Sequence, residues 1–177
     1  ICRDLMCGRL RRIDVEFDVR GSLATTHKSQ GTDMGLFGGF LGWEAYDERL
    51  PDSENYLAPA GIDVRIAIVD YGAEHPNTYR ITLADGGERH VLTAISTGGG
   101  MIEVTEIDGA SVSMGGDYVE TLVFVVGAEF ASRVADDAAT AFDAEEVITH
   151  PSFVQIKSRL APVADLRNRW EALPGVS

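Results

Sequence analysis

"IDVEFDVRGSLATTHKSQGTDMGLFGGFLGW", residues 13–43, places an alternating segment, a polar loop and an apolar glycine-rich segment end to end. Ile13, Val15, Phe17 and Val19 alternate with Asp14, Glu16, Asp18 and Arg20, the period-two pattern of a half-buried strand. Gly21 punctuates it. The thirteen residues from Gly21 to Asp33 then carry few large apolar side chains. Ser22, Thr25, Thr26, Ser29, Gln30 and Thr32 supply hydroxyl and amide groups and Lys28 a cation, while Gly21 and Gly31 leave backbone N–H groups approachable. Such groups grip a carboxylate, and a helix starting at a Thr32 or Asp33 cap would add its N-terminal dipole. A small amino or hydroxy acid suits this loop; an ordinary polar loop ending in a helix cap is the alternative. Gly35, Gly38, Gly39 and Gly42 lower helix propensity, yet small residues at this spacing favour a tightly buried helix over 32–43.

Working outward, "CRDLMCGRLRR" (2–12) predicts a helix ending near Arg11 on basic residues. "ERLPDSENYLAPAG" (48–61) predicts a turn and a short helix, and "DVRIAIVDYG" (63–72) a strand. "NTYRITLADGG" and "ERHVLTAIST" (77–97) form a hairpin about Asp85-Gly86-Gly87. "MIEVTEIDG" (101–109) partly preserves alternation after the glycines at 98–100. The pattern restarts near residue 117 with a strand in "ETLVFVVG", a helix in "EFASRVADDAATAF", strands within "EEVITHPSFVQIKSRL" and a helix in "VADLRNRWEAL". The fold class expected is α+β, with no internal repeat.

With 177 residues and 45% hydrophobic content the chain can bury a core, and 28 acidic against 15 basic residues give a net charge of −13. That charge repels phosphate backbones and anionic headgroups, so no nucleic acid and no membrane is expected as a partner; no secretion pattern opens the chain, and the location expected is cytoplasmic. Apolar runs fall far short of the ~20 residues of a spanning helix. Cys2 and Cys7 are too few for an iron–sulfur or structural zinc site, and two reduced thiols on an N-terminal helix are expected, a disulfide being the alternative, with no metal ligated by this chain. Gly98, Gly99 and Gly100 let backbone amides approach a ligand, without the spacing of a dinucleotide or phosphate loop. No nucleophile elbow and no close histidine pair occurs; of His27, His75, His90 and His150, only His27 lies inside the hydroxyl-rich loop.

The run from Asp18 to Gly42 resembles the β domain of iron–sulfur-dependent bacterial L-serine dehydratases, whose pattern is a strand, then Gly-Ser-(Leu/Phe)-x-x-Thr-x-x-Gly-His-x-Thr-Asp, then an apolar glycine-bearing helix. "HPNT" (75–78) and "LTAISTGGGMIEVTEIDG" (92–109) resemble two further family segments in the same order. The resemblance implies an allosteric-substrate-binding-like domain over 1–116 and a small ferredoxin-like, ACT-like unit over 117–177, the latter degenerate or incomplete. Opening at Ile1 and lacking the family's Ser-Ser-Ser-His-Thr segment, the first domain is expected to be N-terminally truncated or divergent.

The implied role is the β component of a lyase converting L-serine to pyruvate and ammonia. The 4Fe-4S cluster would be held by the cysteines of an α subunit or domain, and a homo- or hetero-oligomer is expected. Carried over as substrate-binding positions are Ser22, Lys28, Thr32, Asp33, Asn77, Ser96, Gly98, Gly99 and Gly100. Gln30 stands at the family's catalytic histidine; glutamine cannot exchange a proton near neutral pH, so that task is lost or moved to His27. The alternatives are a non-catalytic amino-acid sensor or assembly module, and a related lyase for another β-substituted amino or hydroxy acid.

Overall fold

A computed structural model describes residues 1–176 of the chain. They form a mixed α and β structure that divides into two compact units, Ile1–Ser113 and a second beginning at Met114.

The first unit runs α1 (Cys2–Leu5), β1 (Arg12–Asp18), α2 (Leu23–Thr26), α3 (Thr32–Leu41), α4 (Glu54–Leu57), β2 (Asp63–Val69), β3 (Thr78–Asp85), β4 (Glu88–Gly98), β5 (Met101–Ile107) and β6 (Ala110–Met114). The sheet order is β2-β1-β3-β4-β5-β6. β1 pairs parallel with β2, and the intervening residues 19–62 carry α2 to α4 as the crossover such a pair requires. β1 with β3, β3 with β4 and β4 with β5 are antiparallel. Ile13, Val15 and Phe17 are fully buried, facing Leu83, Ile81 and Tyr79 in register, so the alternation of β1 becomes the centre of the core. Each such side chain contributes about 1.5–3 kcal/mol on burial. Two hairpins close on left-handed residues: Gly86 and Gly87 between β3 and β4, Asp108 and Gly109 between β5 and β6.

Three expectations are corrected here. The N-terminal helix ends at Leu5 rather than near Arg11, because Cys7 and Gly8 take left-handed φ of 47° and 78°, which leaves Cys7 outside it. α3 is capped by Gly31 at φ 77°, with Thr32 and Asp33 already in its first turn. It is also buried on one face only: Phe37, Gly38 and Phe40 point inward, Gly38 making room for Leu50, whereas Met34, Gly35 and Gly39 are exposed. β6 is an element that its small residues, "ASVSM", did not announce.

The second unit runs β7 (Val119–Phe124), α5 (Ala128–Ala141), β8 (Ala144–Thr149), β9 (Phe153–Ser158) and α6 (Ala164–Glu171). Its sheet order is β7-β9-β8, with both pairs antiparallel. Ala131, Val134 and Ala138 of α5 and Leu166 and Trp170 of α6, all at helical spacing, pack in one cluster with Val123, Val125, Val154 and Ile156.

Candidate functional site

The topology of the first unit gathers the three sequence motifs. β4 runs in the same direction as β1 and β3 runs against both. The loop after β1, the residues before β3 and the glycines ending β4 therefore share one end of the sheet.

Contacts join residues 18–22 to residues 73–77 in step. Asp18, only 2% exposed, accepts the Ala73 N–H at 3.0 Å, and the Arg20 guanidinium donates to the Ala73 carbonyl at 3.3 Å. Gly21 lies so close to the Pro76 carbonyl that a Cβ would overlap it. The Ser22 hydroxyl donates to Asn77 Oδ1 at 2.5 Å. The Asn77 carbonyl then accepts the Ser96 N–H at 3.0 Å, which brings the end of β4 into the same assembly. His75 shapes the turn: its Nδ1 accepts the Asn77 N–H and its carbonyl accepts from both N–H and hydroxyl of Thr78. Hydrogen bonds from the Arg20 guanidinium, then from the Ala73 and Arg20 N–H groups, hold the Asp18 carboxyl far below the usual carboxylate range. Tyr71, on the same segment, has a buried hydroxyl with no hydrogen-bond partner among the described residues; burial pushes it up to about 12.

Asp18 was absent from the expected site. Its place in an alternating strand assigns it to the solvent face, and no local signal announces the loop that covers it. Of the expected residues, Ser22, Asn77 and Ser96 are brought together directly. Asp33 turns its carboxylate onto His27, whose Nδ1 lies 2.7 and 2.9 Å from its two oxygens. Its N–H is also engaged, by the His27 carbonyl at 3.2 Å, so the start of α3 is less open to an anion than a free helix N-terminus. Lys28 and Gln30 are exposed, and Thr32 is half-buried; none of the three side chains has a hydrogen-bond partner among the described residues. Gly98, Gly99 and Gly100 form the exposed tip between β4 and β5, with φ of 97°, 63° and 82°, in the left-handed region that favours glycine.

The probable β chain of an L-serine dehydratase of Bacillus subtilis (strain 168) is 37% identical over 123 residues, covering 70% of this chain and 55% of that protein. The L-serine dehydratase β chain of Peptoniphilus asaccharolyticus is 34% identical over 111 residues, 62% of this chain and 50% of that one. This chain is homologous to L-serine dehydratase β chains. It spans about half the length of these curated relatives. No protein-family model matches it.

An iron–sulfur cluster does not fit the groups present. Among the described residues no set of three or more His, Cys, Asp and Glu side chains is placed to hold a metal ion. Cys2 and Cys7 are free, and burial pushes the half-buried Cys2 thiol up to about 11, unsuited to a thiolate ligand. No described helix is long and apolar enough to cross a membrane.

Proposed function

We propose that this chain is the β component of an iron–sulfur-dependent L-serine dehydratase, acting with a cysteine-bearing α component that holds a 4Fe-4S cluster. The observation that carries the reading is the meeting of Ser22, Asn77 and Ser96, from three separated motifs, at one end of the sheet. The homologous β chains support it, since a β chain implies an α partner. The cluster, when bound by that partner, supplies a Lewis acid for the substrate hydroxyl. The residues of this chain bind and orient the amino acid: the exposed Lys28 pairs with the carboxylate, aided by Thr32, the Ser22–Asn77 pair offers polar groups, and the glycine tip at 98–100 leaves room for close approach. Gln30, exposed on the same loop, contributes an amide. The product 2-aminoacrylate hydrolyses to pyruvate and ammonia.

The first unit is read as the allosteric-substrate-binding-like domain. The second is read as a ferredoxin-like, ACT-like unit, a reading supported by its β-α-β-β-α order and its β7-β9-β8 sheet. A cytoplasmic site of action fits the same reading, because a reducing compartment keeps cluster-ligating cysteines as thiols.

Anaerobic co-purification with the cysteine-bearing partner tests the proposal. Cluster absorbance together with pyruvate from L-serine is the expected result. A cluster-bearing complex that leaves serine untouched would redirect the reading to another β-substituted acid, and failure of any complex to form would favour an amino-acid sensor, the reading that the glutamine at position 30 favours.

A further inference from the structure

We propose that His27 is the proton-exchanging residue of this site, with Asp33 as its positioning residue; the inference rests on the L-serine reading above. Asp33 is buried and sets both carboxylate oxygens on His27 Nδ1, at 2.7 and 2.9 Å. An ionised carboxylate only accepts, so Nδ1 is the donor to Asp33, and in the neutral ring Nε2 is then the nitrogen that carries the lone pair. The ring is fixed in the second dimension by stacking on the fully buried Phe17, with centroids 5.0 Å apart and planes 24° from parallel. A backbone bond from the Asp33 N–H to the His27 carbonyl closes the loop around the pair. Histidine, orienting carboxylate and aromatic wall are thus held by β1, the loop and α3 together.

Nε2 meets no protein partner among the described residues, although the ring is only 13% exposed. The neighbouring hydroxyls do not compete for it: Thr25 and Thr26 donate to the Ser22 carbonyl and Ser29 to the Thr26 carbonyl. The other histidines are engaged differently. His75 Nδ1 accepts the Asn77 N–H, His90 lies between Asp108 and Glu88, and His150 Nε2 pairs with Gln155. Position 27 therefore combines an oriented imidazole, an available Nε2 and a hydroxyl-rich loop, whereas Gln30, three residues on, has no exchangeable acid–base group.

In the reaction, Nε2 accepts the proton of the substrate Cα. The C–H electron pair becomes the Cα=Cβ double bond as the Cβ–O bond breaks with its own pair, and the proton on Nε2 passes to the departing hydroxide. The products are 2-aminoacrylate and water, with no net oxidation or reduction, and His27 returns to its starting form.

The test uses the full chain and its complex. In the chain alone, ¹⁵N resonances of His27 should report Nδ1 protonated and Nε2 as the lone-pair nitrogen; the reverse tautomer overturns the inference without reference to activity. In the complex, His27→Gln should lower kcat by about 10²–10⁴-fold with KM for serine little changed, and Asp33→Asn by about tenfold or more. Imidazole should restore turnover to His27→Ala, whereas pyrazole, of the same size and far weaker basicity, should not. Equal rescue by both identifies a packing role and overturns the inference. An active wild-type complex with an unimpaired His27→Gln variant overturns it while leaving the serine reading intact; an inactive wild-type complex overturns both.

Discussion

The Asp18 carboxylate accepts the backbone N–H of Ala73 at 3.0 Å, tying the end of β1 to the segment that carries His75 and Asn77. With its hydrogen bonds from Arg20, this contact lowers the folded-state pKa of Asp18. A carboxylate whose pKa is depressed on folding contributes stability above its unfolded value, about 3.9, and loses it as pH falls further toward the folded value. Wild-type urea midpoints should therefore decline below about pH 4, and Asp18→Asn should lower the midpoint at neutral pH and flatten this acid-side decline. An identical pH profile in the variant would remove Asp18 from the account.

Gly21 and Gly35 should respond oppositely to alanine. At Gly21 the added Cβ meets the Pro76 carbonyl, and the strain should cost about 1–3 kcal/mol. At Gly35 it meets open space on a helical, exposed position, and alanine should stabilise by about 0.5–1 kcal/mol. Denaturant unfolding of the two variants decides; a neutral Gly21→Ala would mean that residues 21 and 76 are not in contact in solution.

Trp170 is 2% exposed in the core of the second unit, and its indole N–H has no partner among the described residues. Trp170→Ala should cost about 3–5 kcal/mol by opening a cavity. Trp170→Phe keeps much of the ring and removes an orphaned donor whose burial costs about 1–3 kcal/mol, so its loss should be less than half as large. Equal damage in both variants, measured by urea midpoint, would show that the N–H is satisfied.

Lys28 is exposed and Thr32 half-buried, each with a side chain lacking a hydrogen-bond partner among the described residues. Lys28→Ala and Thr32→Ala should leave unfolding midpoints within about 0.5 kcal/mol of wild type. Both should weaken binding of L-serine in calorimetric titration of the complex. Unchanged affinity in both would take the loop's cation and hydroxyl out of the binding role.

What the sequence makes legible is whatever local chemistry enforces. Ile13, Val15 and Phe17 declare β1, and the glycines at 86 and 87 declare the hairpin they close. The helices of the second unit follow from apolar residues at helical spacing, such as Val134 with Ala138 and Leu166 with Trp170. The short first helix was hidden because Arg9, Leu10 and Arg11 have good helix propensity and mask the stop at Gly8, while the left-handed backbone of Cys7 before it is not what its residue type favours. Asp18 was hidden for the same kind of reason, since its burial depends on Ala73, far along the chain. The loop composition marks residues 21–33 as a candidate site, yet the pairing of His27 with Asp33 depends on how α3 starts, which Gly31 rather than Thr32 determines.

The central claim is that the meeting of Ser22, Asn77 and Ser96 forms part of an L-serine site shared with a cluster-bearing partner. The most direct measurement is anaerobic pyruvate formation from L-serine by the reconstituted complex, with wild type compared against Ser22→Ala and Asn77→Ala. Turnover in wild type and a loss of at least about tenfold in both variants, with the complex still forming, is the predicted result. Undiminished turnover in both variants would contradict it.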